Sequence, residues 1–407
     1  MFKQLFACAM ALAAASAQAA GPSAEVIHWW TSGGESAAVK QLANAYRAAG
    51  GTWIDTAIAG GEQARAVTLN RMVGGKAPAA AQFNISKQFL DIVDQDMLVQ
   101  LDDVARQEHW ESTLPEPIVN TIRIDGHYYA MPMNIHMQTW IWYSKAAFKK
   151  AGIAKEPATV EELFAALDKL KAAGLVSLAH GGQAWQEHIL FASLLANMGG
   201  RQLYLQVMRD RDQRAINSEP VRKVLLAYKR LQSYVDPASP GRNWNDATAM
   251  LVSGKAGVQI MGDWAKGEFS NAKMVAGVDY GCIPGLGANS PYLIQGDAFV
   301  FPRSDRADVQ QAQKLMTKVL LAPATQVSFN KLKGSVPPRA DADTSQLDAC
   351  ARAGAAIMRD RNRQVGAPEI YLTPDQNGAV QDALTAYWNT SMPVEKAQKA
   401  LAAALRN

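Results

Sequence analysis

The 407-residue chain is poor in cysteine, in long apolar runs and in charge of one sign. Its three cysteines, Cys8, Cys282 and Cys350, are too few for a Cys-rich metal site. The six histidines fall into no ligand spacing. Glu187-His188 lacks the second histidine that a helical zinc motif requires. There is no G-x-S-x-G elbow, no P-loop and no dinucleotide fingerprint, and Gly33-Gly34 and Gly60-Gly61 are pairs without the remaining glycines. Nothing calls for a cofactor. The formal charge is only +4, with no basic block and no aromatic-basic stripe, so nucleic acid is not an expected partner. After the first twenty or so residues no stretch approaches a membrane span in length. A glycosidase needs only two carboxylates. Glu35, Asp263 and Asp297 stand near turns or strand ends, but nothing in their spacing pairs them.

What is present begins with an export signature. Lys3 supplies a positive charge, Leu5 to Ala15 is almost wholly apolar, and Ala17-Gln18-Ala19 reads as a cleavage site. The run is short for a membrane anchor. Cys8 precedes any complete apolar run, which argues against a lipid anchor. Residues 1–19 therefore read as a signal peptide, and the mature chain as an exported protein starting near Ala20. Removing them removes Lys3 and no acid, so the formal charge falls from +4 to +3. Cys282 and Cys350 remain, and an oxidising compartment favours one disulfide over two separate buried thiols.

Short apolar runs alternate with helical patterns, as in an α/β protein. Val26 to Trp30 reads as a strand, Thr31 to Gly34 as a turn, and Ser36 to Ala48 as a helix with Val39, Leu42 and Tyr46 on one face. A loop between strand and helix is where α/β folds bind ligands. Thr159 and Glu162 predict a capping box, with Leu163, Phe164, Leu167 and Leu170 as the buried stripe and Gly174 as the stop. Lys255 to Met261 and Ala298 to Phe301 read as strands. Pro240 to Arg242 and Gly334 to Pro338 read as loops. Gly378 to Trp388 and Val394 to Leu405 read as the last helices. Mature length predicts two domains, and no linker divides them.

Ten tryptophans are more than packing needs. Several stand beside turn and amide residues: Trp29-Trp30 before Thr-Ser-Gly-Gly-Glu, Trp185 after His-Gly-Gly-Gln-Ala, Trp244 within Gly-Arg-Asn-Trp-Asn, and Trp264 within Met-Gly-Asp-Trp-Ala-Lys. A flat ring can cover the apolar face of a pyranose, while carboxylates, amides and lysines pair with its hydroxyls. In a strand, Trp29 and Trp30 would point to opposite faces, so one of them belongs to the core.

Five segments carry a family resemblance: 28–35 (HWWTSGGE), 180–186 (HGGQAWQ), 240–251 (PGRNWNDATAML), 255–269 (KAGVQIMGDWAKGEF) and 333–339 (KGSVPPR). With them the chain resembles the family-1 extracellular solute-binding proteins of ABC sugar transporters, in particular the periplasmic glucose-binding proteins of pseudomonads. The resemblance implies a two-lobed α/β periplasmic-binding-protein fold, like that of maltose-binding proteins, with lobes joined by crossing strands. The crossings would lie near Met131 to His136, Leu293 to Ala298 and Gly334 to Arg339. One lobe would comprise residues 20–133 and 296–333, and the other 134–295 and 334–407, which contains both Cys282 and Cys350. The implied ligand residues are Trp29, Trp30, Glu35, Trp264, Asp297 and Lys333, with His136, Gln183, Trp185 and Trp244 in matching segments. Two positions depart from the glucose binders: Asn84 stands where they carry lysine, and Gln295 where they carry asparagine. Their ligand histidine has no equivalent around Pro368 to Pro374. These changes shift the expectation from glucose to another hexose or a short oligosaccharide. The implied role is a monomeric periplasmic receptor that passes sugar to an inner-membrane permease and catalyses nothing. A secreted glycoside hydrolase and a sugar-sensing protein are the alternatives.

Overall fold

A computed structural model describes residues 21–287 and 290–406; the expected signal peptide lies outside them. Two sheets organise the chain. The first has five strands in the order Thr52–Ala57, Ser23–His28, Ala80–Asn84, Asp297–Val300 and Ala130–Pro132. Ser23–His28 runs parallel to both of its neighbours, whereas Asp297–Val300 runs antiparallel to the strands beside it. The second has four strands in the order Tyr280–Ile283, Trp140–Ser144, Ala256–Met261 and Val176–Leu178. A small third sheet pairs Tyr292–Gln295 with Gln364–Gly366 and His136–Met137. The chain passes from the first sheet to the second through 133–139 and returns through 292–297. A single bridge, Ile135 to Val336, ties a third connecting segment to the first.

The first strand ends at His28 rather than Trp30. The chain leaves the ladder there because side chains take over its amides: Trp29 N–H donates to Gln82 Oε1, and Trp30 N–H to His28 Nδ1. The first helix also starts earlier than its apolar pattern suggests, at Gly33, because Ser32 caps it in a box with Glu35. Near residue 160 the cap is displaced by one residue. Thr159 Oγ1 accepts from Glu162 N–H, but the Glu162 carboxylate accepts from Ala158 N–H. The predicted stripe of that helix, Leu163, Phe164, Leu167 and Leu170, is buried, and Gly174 follows its end at φ +73. The penultimate helix runs Pro374–Asn389 and starts ahead of its apolar pattern, since Thr373 and Gln376 form another capping box.

Helices Ala307–Leu320 and Pro323–Lys333 pack on the first helix and beside the first sheet. Ala184–Met208, Glu219–Gln232, Pro374–Asn389 and Val394–Ala404 pack together beside the second. Ala184–Met208 was not legible as one periodic unit, and Gly200 breaks it with non-helical angles. A disulfide joins Cys282, on an edge strand of the second sheet, to Cys350, in the helix Ala349–Ile357. It pins that helix to the sheet beside Trp140 and Tyr292, which lie against Gly354.

The bond spans 68 residues of sequence, so breaking it releases a long loop in the unfolded chain. The pair Cys282→Ser and Cys350→Ser should lose about 3–4 kcal/mol of stability. A denaturant melt compared with wild type checks this, and an unchanged midpoint would contradict it.

Candidate functional site

Asp297 begins the fourth strand of the first sheet, between Ala80–Asn84 and Ala130–Pro132, and is 3% exposed. Register puts it opposite Asn84, so the two side chains share one face. Asp297 Oδ1 accepts from Asn84 Nδ2 at 3.2 Å. Oδ2 accepts from Trp30 Nε1 at 3.2 Å, Asn134 Nδ2 at 3.0 Å and His136 Nε2 at 3.1 Å. Asn134 Oδ1 in turn accepts the Asp297 amide at 2.7 Å. One oxygen is thus saturated, and Oδ1, beside Asn84, keeps room for another donor. Burial alone would raise this carboxyl's pKa. The hydrogen bond and charge of His136, with Lys333 and Asn134, outweigh burial and hold it well below the ordinary range.

His136 joins the two sheets electrostatically. Its Nδ1 faces Asp263 at close range, and Asp263 also accepts the Met137 amide at 3.0 Å. Its Nε2 faces Asp297. A neutral imidazole has one N–H, and both partners are carboxylates, so two hydrogen bonds require the imidazolium. Burial opposes that charge, and Lys333 opposes it too. The charge of Asp263 and the hydrogen bonds to both carboxylates overcome them, so the pKa of His136 is raised. Neither ring nitrogen is left for another partner.

Trp264 caps the short helix Ala265–Asn271 and is half-buried. The ring of His136 meets it edge-on, with centroids 5.0 Å apart, and Trp185 lies 6.2 Å away. Lys333 Nζ is 6.0 Å from the Trp264 ring and 3.1 Å from Glu35 Oε1. Both ions of that pair are buried, Lys333 to 2% and Glu35 to 7% exposure. Lys333 arrives here because its helix ends at Gly334, whose φ is +94. A Cβ at Gly334 would come within 2.4 Å of the Asp263 carbonyl.

A second group of predicted residues lies where two loops meet. Gly182 bridges Pro240 so closely that a Cβ there would be 2.4 Å from Pro240 Cα. Gln183 Nε2 donates to Asn243 Oδ1, while Gln183 Oε1 accepts from Trp185 Nε1 and Gln186 Nε2. Gln183 therefore sets the pose of Trp185. Trp244 opens the next helix, Trp244–Val252, half-buried. Trp29 is half-buried, with the Arg65 guanidinium 5.7 Å from its ring. Trp30 is core: it is 1% exposed and packs on Phe299 and Phe329. It orients Asp297 through its N–H and offers no free face. Gln295 lies opposite His136 in the third sheet.

Asn134 and Gln138 escaped the sequence reading, although a signal was present. In Met133-Asn134-Ile135-His136-Met137-Gln138 the polar residues recur with period two, which puts three polar side chains on one side of an extended segment. Asp263 was noted only as an acid near a turn. Its role depends on the partner the fold brings to it. As a whole the site offers half-buried rings beside carboxylates, amides and a lysine, a set suited to a ring compound carrying hydroxyls.

The profile of the bacterial extracellular solute-binding proteins matches residues 30–327. A "probable sugar-binding periplasmic protein" of Rhizobium meliloti is 39% identical, covering 89% of this chain and 87% of its own. A protein of the same description from Brucella suis is 37% identical, covering 94% and 91%. Among solved structures, a chitin oligosaccharide binding protein superposes with TM-score 0.78 at 18% identity, over 95% of this chain and 98% of its own. Maltose-bound T. maritima MalE3 gives 0.77 at 17%, over 94% and 98%. The fold is thus the two-lobed one of the maltose-binding type.

The proton on His136 has a measurable sign. Its folded pKa lies above the ordinary 6.5, so its stabilisation is complete below about pH 6.5. That stabilisation is lost as pH rises through the folded value. The gap in Tm between wild type and His136→Gln should therefore narrow from about pH 5.5 to about pH 9. A gap independent of pH would contradict the imidazolium.

Proposed function

The chain belongs to the family of bacterial extracellular solute-binding proteins, and we propose that it is the periplasmic receptor of an ABC sugar importer. It captures a monosaccharide or short oligosaccharide between its lobes and delivers it to the membrane permease. One lobe comprises residues 20–133 and 296–333, and the other comprises 134–295 and 334–407. The connecting segments act as the hinge, a usual means of closing two domains around a ligand. Residues 1–19 direct export and are removed, and the mature protein acts as a monomer.

The carrying observation is Asp297: a buried, ionised carboxylate between the sheets, with one oxygen able to accept a further donor. In this reading Asp297 Oδ1 and Asn84 receive a ligand hydroxyl. Trp264, with Trp185 and Trp244, covers the apolar face of the sugar. Glu35, Lys333, Gln183 and Gln295 line the remaining rim, and Trp29 closes the side bearing Arg65. Trp30 and His136 hold Asp297. The identity of the relatives as sugar-binding proteins supports the ligand class. A hydrolase is disfavoured by the same geometry. Asp263 and Asp297 are tied to His136 and to amides, and Asp297, with its lowered pKa, is no proton donor.

A thermal-shift screen of mono- and disaccharides tests the reading. The right sugar, at a hundredfold its Kd, should add about 2.7 kcal/mol of stability. If no carbohydrate raises the Tm, the proposal fails. Trp264→Ala should weaken binding of that sugar by about tenfold while the fold persists. A tryptophan fluorescence titration reads this directly. Release of reducing sugar from glycosides, abolished in Asp297→Asn, would instead establish a hydrolase.

A further inference from the structure

One carboxylate near the site has no role in any of this. Glu369 lies on the short helix Pro368–Tyr371. That helix packs both on the strand Gln364–Gly366 and on the Lys87–Phe89 turn, which follows Asn84. Glu369 thus sits at the seam where a segment leaving the first sheet meets a helix of the other lobe. Apart from its own amide, its carboxylate has one partner among the described residues, Gln138 Nε2 at 3.2 Å. No Lys, Arg or His pairs with it there.

The same Gln138 Nε2 donates to Gln295 Oε1 at 2.9 Å. Gln295 is opposite His136 in the ladder, and Gln138 is two residues beyond His136, so all three share one face. The polar face that carries His136 to Asp297 therefore continues through Gln295 and Gln138 to Glu369. It is incompletely satisfied. Gln138 is 3% exposed, yet its Oε1 is buried without a hydrogen-bond partner. A carboxylate kept for structure alone is normally met by a cation or several donors. Burial instead raises the pKa of Glu369, and the bonds from its own amide and from Gln138 offset this only in part.

We propose that Glu369 is a ligand-contacting, specificity-determining residue, forming with Gln138 and Gln295 a second polar wall of the site. This rests on the sugar-binding reading. A carboxylate accepts two hydroxyls side by side, so the ligand is a neutral sugar with a free pair of neighbouring hydroxyls at this wall. An epimer that turns one hydroxyl away leaves the carboxylate short of a donor.

The test uses the mature protein, the sugar found by thermal shift, and its epimers and deoxy analogues. Kd is measured by tryptophan fluorescence for wild type, Glu369→Gln and Glu369→Ala, with ligand-free melts alongside. Glu369→Ala should weaken the sugar by about tenfold or more. Glu369→Gln keeps the shape and one acceptor oxygen, so it should lose less affinity but narrow the preference for the sugar over one epimer. Unchanged Kd and unchanged epimer ranking in both variants, even with a lowered melt, would make Glu369 a structural residue and overturn the proposal alone. Wild-type protein that binds no sugar would overturn the transport reading and this one with it.

Discussion

A buried charge is tolerable only where fixed donors replace the water it loses, and the arrangement around Asp297 follows from that constraint. Four side-chain donors converge on one carboxylate, from Trp30, Asn84, Asn134 and His136. They come from three separate parts of the chain. The loop after the first strand must bend at His28 to deliver Trp30. The register of the first sheet must place Asn84 opposite Asp297. The segment between the sheets must stay extended to present Asn134 and His136 together. Moving any one of these would leave the carboxylate short of a donor, and removing one partner of a buried charge typically costs about 3–5 kcal/mol.

The same constraint propagates outward through His136. Because its second nitrogen meets Asp263, the end of a strand in the second sheet is tied to the start of one in the first. The cation needed there is opposed by Lys333, which is itself balanced by Glu35. Charges at the ends of both sheets thus neutralise one another where the connecting segments run. The rings stand around this ionic core, half-buried, with Trp264 against the edge of His136 and Trp185 beyond it. Rigid polar groups and partly exposed rings are what recognition of hydroxylated rings requires, since the polar groups discriminate and the rings supply contact area.

Much of this was legible beforehand. The α/β class, the stripe of the helix near residue 163 and the pairing of the cysteines followed from periodicity, capping residues and the expected export. These are local signals or matters of compartment. Family resemblance named Asp297, Trp264, Glu35 and Lys333, and the fold links these four through His136 and the Lys333–Glu35 pair. Element ends were less legible, because His28, Gln82 and Ser32 settle them through side-chain bonds to the backbone.

What each of those residues does was decided by the tertiary structure. Trp29 and Trp30 are neighbours in sequence, yet one is half-exposed beneath Arg65 and the other is sealed between Phe299 and Phe329. Glu369 stands in the segment where the resembled proteins carry a ligand histidine, but nothing local marks this carboxylate, and only the packing of its helix brings it to Gln138 and Gln295. The sequence by itself determined which residue types were available and the periods on which they recur. The partners of Asp297 and His136, and hence their protonation and freedom to meet a ligand, come from segments more than a hundred residues apart. Electrostatics in a buried site depends on distance in space, and only the folded chain sets that distance.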